Sequence, residues 1–186
     1  MSDVRAASRY AKSLLELADE KGVLDEVQKD MLLLSSVCEE NRDFLMMLKN
    51  PIVKHRKKRE ILEAIFKGKV NEITCAIFDI ITRKNREPIL PTIATEFNKQ
   101  YNVINGIVTA KITTTTPLDS KLKKEFEEIV LQISKGNSVQ LEEVVDENII
   151  GGFVLNVEDK QIDDSIKTKL NELKIKFSQN SYIKEF

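Results

Sequence analysis

Apolar residues recur with the period of an α-helix through the first hundred residues of the chain. In the first segment Ala7, Ala11, Leu14 and Ala18 fall on one face, and Arg5 begins the polar face opposite. Glycine or proline follows several of these segments and indicates where each helix ends. The pattern predicts helices over residues 5–18, 24–40, 41–50, 54–67, 71–85 and 88–101. Short connections between six such helices favour a compact antiparallel bundle.

The fifth predicted helix, residues 71–85, carries more apolar surface than its own core requires. At about 100° per residue its apolar side chains cover roughly 200°; they are Ile73, Ala76, Ile77, Phe78, Ile80 and Ile81. A surface helix needs an apolar stripe only a little over 100° wide. This helix therefore either lies in the middle of the bundle or keeps an apolar strip for another molecule.

Near Gly106 the apolar period changes from 3.6 to 2, which predicts strands. Alternating apolar residues predict strands near 107–113, 139–141, 153–157 and 161–162. Helices are predicted from Thr116-Pro117 to Gly136, and over 166–177 with Asp163 or Asp164 as the cap. The chain is thus predicted to be α+β: a six-helix bundle over 1–104 and a small α+β domain over 105–186. Residues 101–106 are the expected joint, and a loose polar tail is expected after Phe177.

Composition excludes several classes of protein. Lys plus Arg (29) nearly balances Asp plus Glu (30), so the whole chain has no general attraction for nucleic acid or anionic lipid. No apolar run approaches the roughly 18 residues that a membrane span requires, and the start does not resemble a secretory signal. The two cysteines, Cys38 and Cys75, are expected to be reduced. We expect a soluble intracellular protein.

The sequence lacks the parts of an active site. His55 is the sole histidine and lies in a run of charged residues. Gly151-Gly152 lacks the strand–loop–helix spacing of a dinucleotide site, and a bend that admits a neighbour is the simpler interpretation. The carboxylate pairs are consecutive in sequence and do not predict a catalytic dyad. We predict no catalytic residue, no cofactor-binding residue, no metal ligand and no enzymatic activity.

The run from Lys54 to Arg59 is the strongest local feature for nucleic-acid binding. Aromatic residues do not interleave with it, and an ordinary amphipathic helix follows. A solvated helix face, or the rim of a protein contact, is the favoured interpretation over a phosphate-binding track. A helical adaptor with an RNA-binding α+β domain remains the alternative function.

Two helices, the first and the fifth, have wide apolar arcs that include small residues. If they pack side by side, Tyr10, Ala11 and Leu14 line one wall of a groove, and Ala76, Ile77 and Ile80 line the other. Such a groove would suit one amphipathic helix from another protein. The pattern equally allows the remaining four helices to cover both arcs.

Several stretches together resemble the delta subunits of F-type ATP synthases, the family of the mitochondrial oligomycin-sensitivity-conferring protein. They occur in family order over nearly the whole chain and are ASRYAKSLLELA, ENRDFLMMLKNPIV, KKREILEAIF, KNREPILPTIATEFNKQYNVINGIVTAKITTTTPL and IIGGFVLNVEDKQIDDSIKTKLNEL. The resemblance implies a stator subunit without catalysis of its own. Its N-terminal bundle would hold the N-terminal helix of an alpha subunit, and its C-terminal domain would meet the C-terminal ends of the b subunits.

Carried over by position, the resemblance implies two sets of contact residues. The groove for the alpha subunit would be formed by Tyr10, Ala11, Ser13, Leu14, Leu17, Ala76, Ile77 and Ile80. The contacts to the b subunits would be Phe153, Leu155, Ile166 and Leu170. The resemblance further implies a monomer within the complex, no nucleic-acid partner, and membrane association through the complex alone. The expected location is the cytoplasmic face of a bacterial cell membrane, ahead of the stromal side of a plastid thylakoid.

Overall fold

The computed structural model describes residues 2–134 and 136–178. The chain divides into two compact units, residues 1–101 and 102–186. The described helices and strands, in order, are α1 (Ser2–Glu20), α2 (Leu24–Glu40), α3 (Arg42–Lys49), α4 (His55–Phe66), α5 (Glu72–Arg83), a 3₁₀ turn (Glu87–Ile89), α6 (Leu90–Asn105), β1 (Ile107–Thr114), α7 (Ser120–Ile133), β2 (Ser138–Val145), a 3₁₀ turn (Glu147–Ile149), β3 (Phe153–Val157), β4 (Lys160–Asp163) and α8 (Ile166–Ser178). The predicted α+β class is confirmed.

Side chains from α1 to α6 share one apolar core in the first unit. Three alanines on α1, Ala7, Ala11 and Ala18, are completely buried, which lets neighbouring helices approach its backbone closely. The largest fully buried side chains are Leu14, Met31, Leu34, Leu48, Phe66, Ile81, Leu90, Ile93 and Phe97. Three aromatic rings, Phe44, Phe66 and Phe78, stack edge to face through this core, with centroids 6.2 and 5.4 Å apart.

A buried carboxylate on α2 holds the start of α5. Asp30 Oδ2 accepts a hydrogen bond from the Asn71 backbone N–H (2.8 Å) and another from Thr74 Oγ1 (2.7 Å). The Asn71 side chain caps the same helix by accepting from Ile73 N–H (3.1 Å). Asp30 and Thr74 are both buried. These bonds fix the rotation of α5 about its own axis, because turning the helix would strand a charged oxygen in the core.

A second buried carboxylate follows the end of α5. Glu87 accepts from His55 Nδ1 at 2.8 Å and lies 3.9 Å from Lys58 Nζ. Lys58 is buried as well and donates to the Leu48 carbonyl at 2.8 Å. The network joins α3, α4 and the 3₁₀ turn before α6, so the basic run is partly a structural element and not a continuous solvated face.

The second unit is built on a four-stranded sheet of order β2-β1-β3-β4. β1 pairs in parallel with β2, and α7 supplies the crossover that a parallel pair requires. β3 runs antiparallel to β1, and β4 antiparallel to β3. The α7 side of the sheet carries the core, which contains Val108, Ala110, Ile112, Val130, Leu155 and Val157.

The structure differs from the sequence-based prediction at several helix ends. α6 continues to Asn105, so the expected joint at 101–106 is helical until Gly106. α7 begins at Ser120 with Asp119 as its cap, instead of at Pro117. Ser165, not Asp163 or Asp164, precedes α8, and its hydroxyl accepts from Thr168 N–H at 3.2 Å. The predicted loose tail lies outside the described residues, apart from Ser178.

Replacing Thr74 with valine should destabilise the first unit by about 2 kcal/mol, because the buried Asp30 carboxylate loses one of its donors. Urea unfolding followed by circular dichroism measures the change. Thr95→Val is the matched control, since Thr95 is exposed on α6 and bonds to the Pro91 carbonyl of its own helix. Equal midpoints for Thr74→Val and wild type would contradict the role given to this hydrogen bond.

Asp163→Ala should weaken the second unit in a pH-dependent way. The backbone N–H of Ser165 and the hydroxyl of Thr168 donate to Asp163 and hold the pKa of its carboxyl below the ordinary value. A lowered pKa stabilises the fold above the unfolded-state pKa, and this stabilisation is lost as pH falls through the folded-state pKa. Thermal unfolding should therefore separate variant from wild type at neutral pH and progressively less in acid. Asp164→Ala, which removes an exposed ion pair with Lys169, should show little such dependence.

Candidate partner-binding surfaces

α1 and α5 lie next to each other in the first unit. Arg86, just after α5, donates from Nη1 to the hydroxyl of Tyr10 at 3.4 Å, so the end of α5 lies beside the first half of α1. The start of α5 is held by α2, where Glu26 Oε2 accepts from Asn71 Nδ2 at 2.7 Å. Because α2 follows α1 after a short turn, the start of α5 lies toward the last turns of α1.

The eight residues predicted for the alpha-subunit groove divide by burial. Ala11, Leu14 and Ile77 are buried in the apolar core of the first unit. Tyr10 is half-buried, whereas Ser13 and Ala76 are exposed. Leu17 is 41% and Ile80 is 50% exposed. We call these eight residues the α1–α5 seam.

The buried face of α5 contains Ile73, Ile77, Phe78 and Ile81 of the predicted apolar arc, together with two threonines. Thr74 and Thr82 are buried, while Ala76 and Ile80 lie outside. Thr82 Oγ1 donates to the Phe78 carbonyl at 2.9 Å, and Thr74 donates to Asp30, so both hydroxyls are satisfied inside the core. The sequence could not show this rotation, since the partner of Thr74 comes from 44 residues away.

A cavity of about 400 Å³ lies between α4 and α5 and adjoins the seam, since Ala76 is part of its lining. Its lining includes Leu62, Phe66 and the exposed Cys75. At its rim Arg59 Nε contacts the carboxylates of Glu63 (2.8 Å) and Asp79 (2.7 Å). The guanidinium is thus already paired with two carboxylates. The apolar pattern of the sequence does not predict this cavity.

α8 contributes no buried residue to the second unit. Four apolar side chains fall within about 60° of one another on this helix at 100° per residue. They are Ile166, Leu170, Leu173 and Phe177, and all four are exposed. We call this set the α8 stripe. It is the kind of face that packs into a groove of another protein.

The four residues predicted to contact the b subunits separate in the same way. Leu155 is fully buried in the sheet, and the Phe153 ring packs edge-on against Phe126 with centroids 5.0 Å apart. Leu155 therefore serves the core, because a fully buried side chain cannot reach a partner without repacking, and the partly buried Phe153 packs against the same core. Ile166 and Leu170 lie in the α8 stripe.

Charges of the basic run 54–59 are largely engaged within the chain. Lys58 is buried, and Arg56 pairs with Glu60 at 3.2 Å on the same helix. His55 and Arg59 bond to carboxylates as described above.

The two cysteines, Cys38 and Cys75, are both free. The pKa of the Cys38 thiol is raised to about 11, mainly because the thiol is buried and to a smaller extent because of the nearby charge of Glu39.

Within residues 2–134 and 136–178, no helix is long and apolar enough to cross a membrane. In the same described part of the chain, His, Cys, Asp and Glu side chains do not gather into a group of three or more that could hold a metal ion.

Comparison with known proteins identifies the family. Residues 6–177 match the family described as ATP synthase delta (OSCP) subunit. The ATP synthase subunit delta of Cytophaga hutchinsonii is 44% identical over 179 residues, covering 96% of this chain and 97% of that protein. The ATP synthase subunit delta of Amoebophilus asiaticus is 39% identical over 181 residues, covering 97% and 98%.

A solved structure shares the fold. In the cryo-EM structure of the Toxoplasma gondii mitochondrial ATP synthase hexamer, one chain superposes with a TM-score of 0.72 at 22% identity, covering 92% of this chain and 97% of that one. The family match confirms the resemblance carried by the sequence motifs and gives no support to the RNA-binding alternative. The chain belongs to the ATP synthase delta (OSCP) subunit family, whose members are stator subunits of the peripheral stalk of F-type ATP synthases.

Proposed function

We propose that this protein is a non-catalytic stator subunit that links the catalytic head of the synthase to the b subunits of the peripheral stalk. It would hold the N-terminal helix of an alpha subunit along the α1–α5 seam and the C-terminal ends of the b subunits on the α8 stripe. The observation that carries the proposal is that large apolar side chains are exposed at both surfaces: Leu17 and Ile80 in the seam, and Ile166, Leu170, Leu173 and Phe177 in the α8 stripe.

The seam supports a helical occupant because of its shape and its chemistry. Its buried residues, Ala11, Leu14 and Ile77, are fixed by the core, while Leu17 and Ile80 are exposed. Covering a few hundred Å² of apolar surface contributes several kcal/mol at about 25 cal/mol per Å², and association and ordering costs reduce that value. The cost of ordering side chains on binding is small when the buried residues of the seam are already packed, because only the exposed side chains change their surroundings.

The α8 stripe supports a second attachment. Its apolar side chains repeat at intervals of three and four residues, which is the spacing of a helix that binds in an apolar groove. The first turn of α8 is anchored, because Ser165 caps it and Asp163 accepts from Ser165 and Thr168. An anchored start with an exposed stripe presents the stripe in a defined direction to the stalk.

Two attachments on one chain suit a mechanical role. A rotor driven by protons would drag the head around unless an elastic tether fixed the head to the membrane sector. When both ends of a tether are joined in one chain, release of one end leaves it at a high effective concentration near its partner. Moderate affinity at each site is then sufficient under load.

The remaining features of the proposal follow the family. Helices α1 to α6 would form the antiparallel six-helix bundle of residues 1–104, and residues 105–186 would form the stalk-binding domain. The protein would act as a monomer within the complex and reach the cytoplasmic face of the cell membrane through it, in line with its bacterial relatives.

Ile80→Asp should abolish coupling while sparing the chemistry of the head. The substitution places a charge in the middle of the apolar seam, where it would be left without a partner once the alpha helix covers it. In membranes reconstituted with the variant, ATP hydrolysis by the heads should persist and ATP-driven proton pumping should be lost. Fluorescence quenching of a pH-sensitive dye and a phosphate-release assay measure the two activities.

Ile52→Asp is the matched control for this experiment. Ile52 is 87% exposed in the turn between α3 and α4, so the same substitution there leaves the seam unchanged. Pumping at the wild-type rate in the Ile80→Asp membranes would contradict the assignment of the seam.

Leu170→Asp should weaken binding to the C-terminal segment of the b subunits by at least about tenfold, since a charge would enter the apolar contact. Ile175→Asp is the control, because Ile175 is 54% exposed on the opposite side of α8 and Leu170 is 52% exposed in the stripe. Isothermal titration of the full chain with the b segment compares the two. Equal losses for both variants would show that the stripe is not the contact surface.

A further inference from the structure

The two edges of the α1–α5 seam carry the same charge pattern. On α1, Arg9 and Glu20 are 11 residues apart and both exposed. On α5, Glu72 and Arg83 are also 11 residues apart and also exposed. Eleven residues advance a helix by about 16 Å and return to within about 20° of the same direction. Each helix therefore places one cation and one anion along a single line beside the seam.

On both helices the cation lies at the same end of the seam. The end of α5 lies beside Tyr10, so Arg83 is at the same end of the seam as Arg9. Arg86 adds a third cation there, held at 3.4 Å from the Tyr10 hydroxyl. Glu72 and Glu20 lie toward the other end, near Leu17. The seam is thus basic at its Tyr10 end and acidic at its Leu17 end.

Neighbouring charges of the opposite sign do not cancel this pattern. Asp79, near the Tyr10 end, is already held by Arg59 (2.7 Å) and Arg83 (2.8 Å). Near the Leu17 end, Lys21 and Lys69 lie in the turns outside α1 and α5. The pairing with Asp79 weakens the contribution of Arg83, which leaves Arg9 and Arg86 as the main cations at that end.

We propose that the seam determines the direction in which its occupant binds. It binds an amphipathic helix with acidic residues at the end near Arg9 and Arg86, and basic residues about three turns later near Glu20 and Glu72. Acidic residues are favourable in the first turn of a helix and basic residues in the last. The occupant would therefore lie with its N-terminus at the Tyr10 end, parallel to α1. This inference rests on the proposed function, since it concerns the same seam.

Two synthetic peptides test the proposal on the full chain. Both are amphipathic helices of about five turns with the same apolar positions and with blocked ends. One carries Glu in the first turn and Lys in the last, and the other carries the reverse. Fluorescence anisotropy gives the Kd of each. Because the two peptides differ in helicity, the measured quantity is the ratio of their Kd values, compared between protein variants.

The variant Arg9→Glu/Glu20→Lys reverses the pattern on α1 without changing net charge. It should change the Kd ratio about tenfold relative to wild type at low salt, and the change should shrink at high salt. Arg5→Glu/Asp19→Lys makes the same exchange on the same helix, but both residues lie about 80° or more from every seam residue of α1 at 100° per residue, whereas Arg9 and Glu20 lie within about 40° of Ser13. This control should keep the wild-type ratio.

The results distinguish two claims: that the seam binds a helix, and that its charges determine the direction of that helix. If the Kd ratio is unchanged in Arg9→Glu/Glu20→Lys and both peptides still bind, the charges do not determine the direction of the bound helix. The seam then remains a binding site. An equal change in the Arg5→Glu/Asp19→Lys control also overturns the proposed binding direction, because the effect would then come from the helix as a whole. If neither peptide binds the wild-type chain, the proposed binding direction and the proposal that the seam binds a helix are both wrong.

Discussion

The rotation of α5 about its axis depends on the buried carboxylate of Asp30. The Asn71 backbone and the Thr74 hydroxyl satisfy this carboxylate, and neither donor can move away without leaving a charge unpaired in the core. Thr74 faces inward, and Ile80, about 120° away on the same helix, is half exposed. A polar interaction inside the bundle thus sets the rotation of α5 that leaves this isoleucine on the surface, at the proposed partner-binding seam.

The other end of α5 is followed by a second buried polar group. Glu87 bonds to His55 and lies close to Lys58, which in turn binds the Leu48 carbonyl. Such a network strongly restricts the turn between α5 and α6, since loss of any member leaves the others unsatisfied. With both ends of α5 held, the seam is preorganised. Preorganisation suits a contact that must resist force, because the site does not deform before it releases.

The second unit achieves exposure of an apolar face in a different way. Gly152 has φ +78°, and a Cβ there would collide with the Asp164 carbonyl, so the chain passes close to itself just before α8. The Ser165 cap then sets where α8 begins. The helix leaves this anchor without burying a residue in the sheet, and its stripe remains exposed. In both units local polar contacts position an exposed apolar surface, which is the surface proposed to bind a partner.

The sequence by itself determined the period of each element, the change from helices to strands near Gly106, and the family, because these depend on local spacing and on motifs in order. It also indicated that the fifth helix has excess apolar surface. Only the tertiary structure decided which part of that surface is exposed, since Asp30 lies more than forty residues from Thr74. It likewise decided that Leu155 belongs to the core and Leu170 to the surface, although both read as apolar positions in regular elements. Burial depends on which elements pack together, and the period of a single segment does not contain that information.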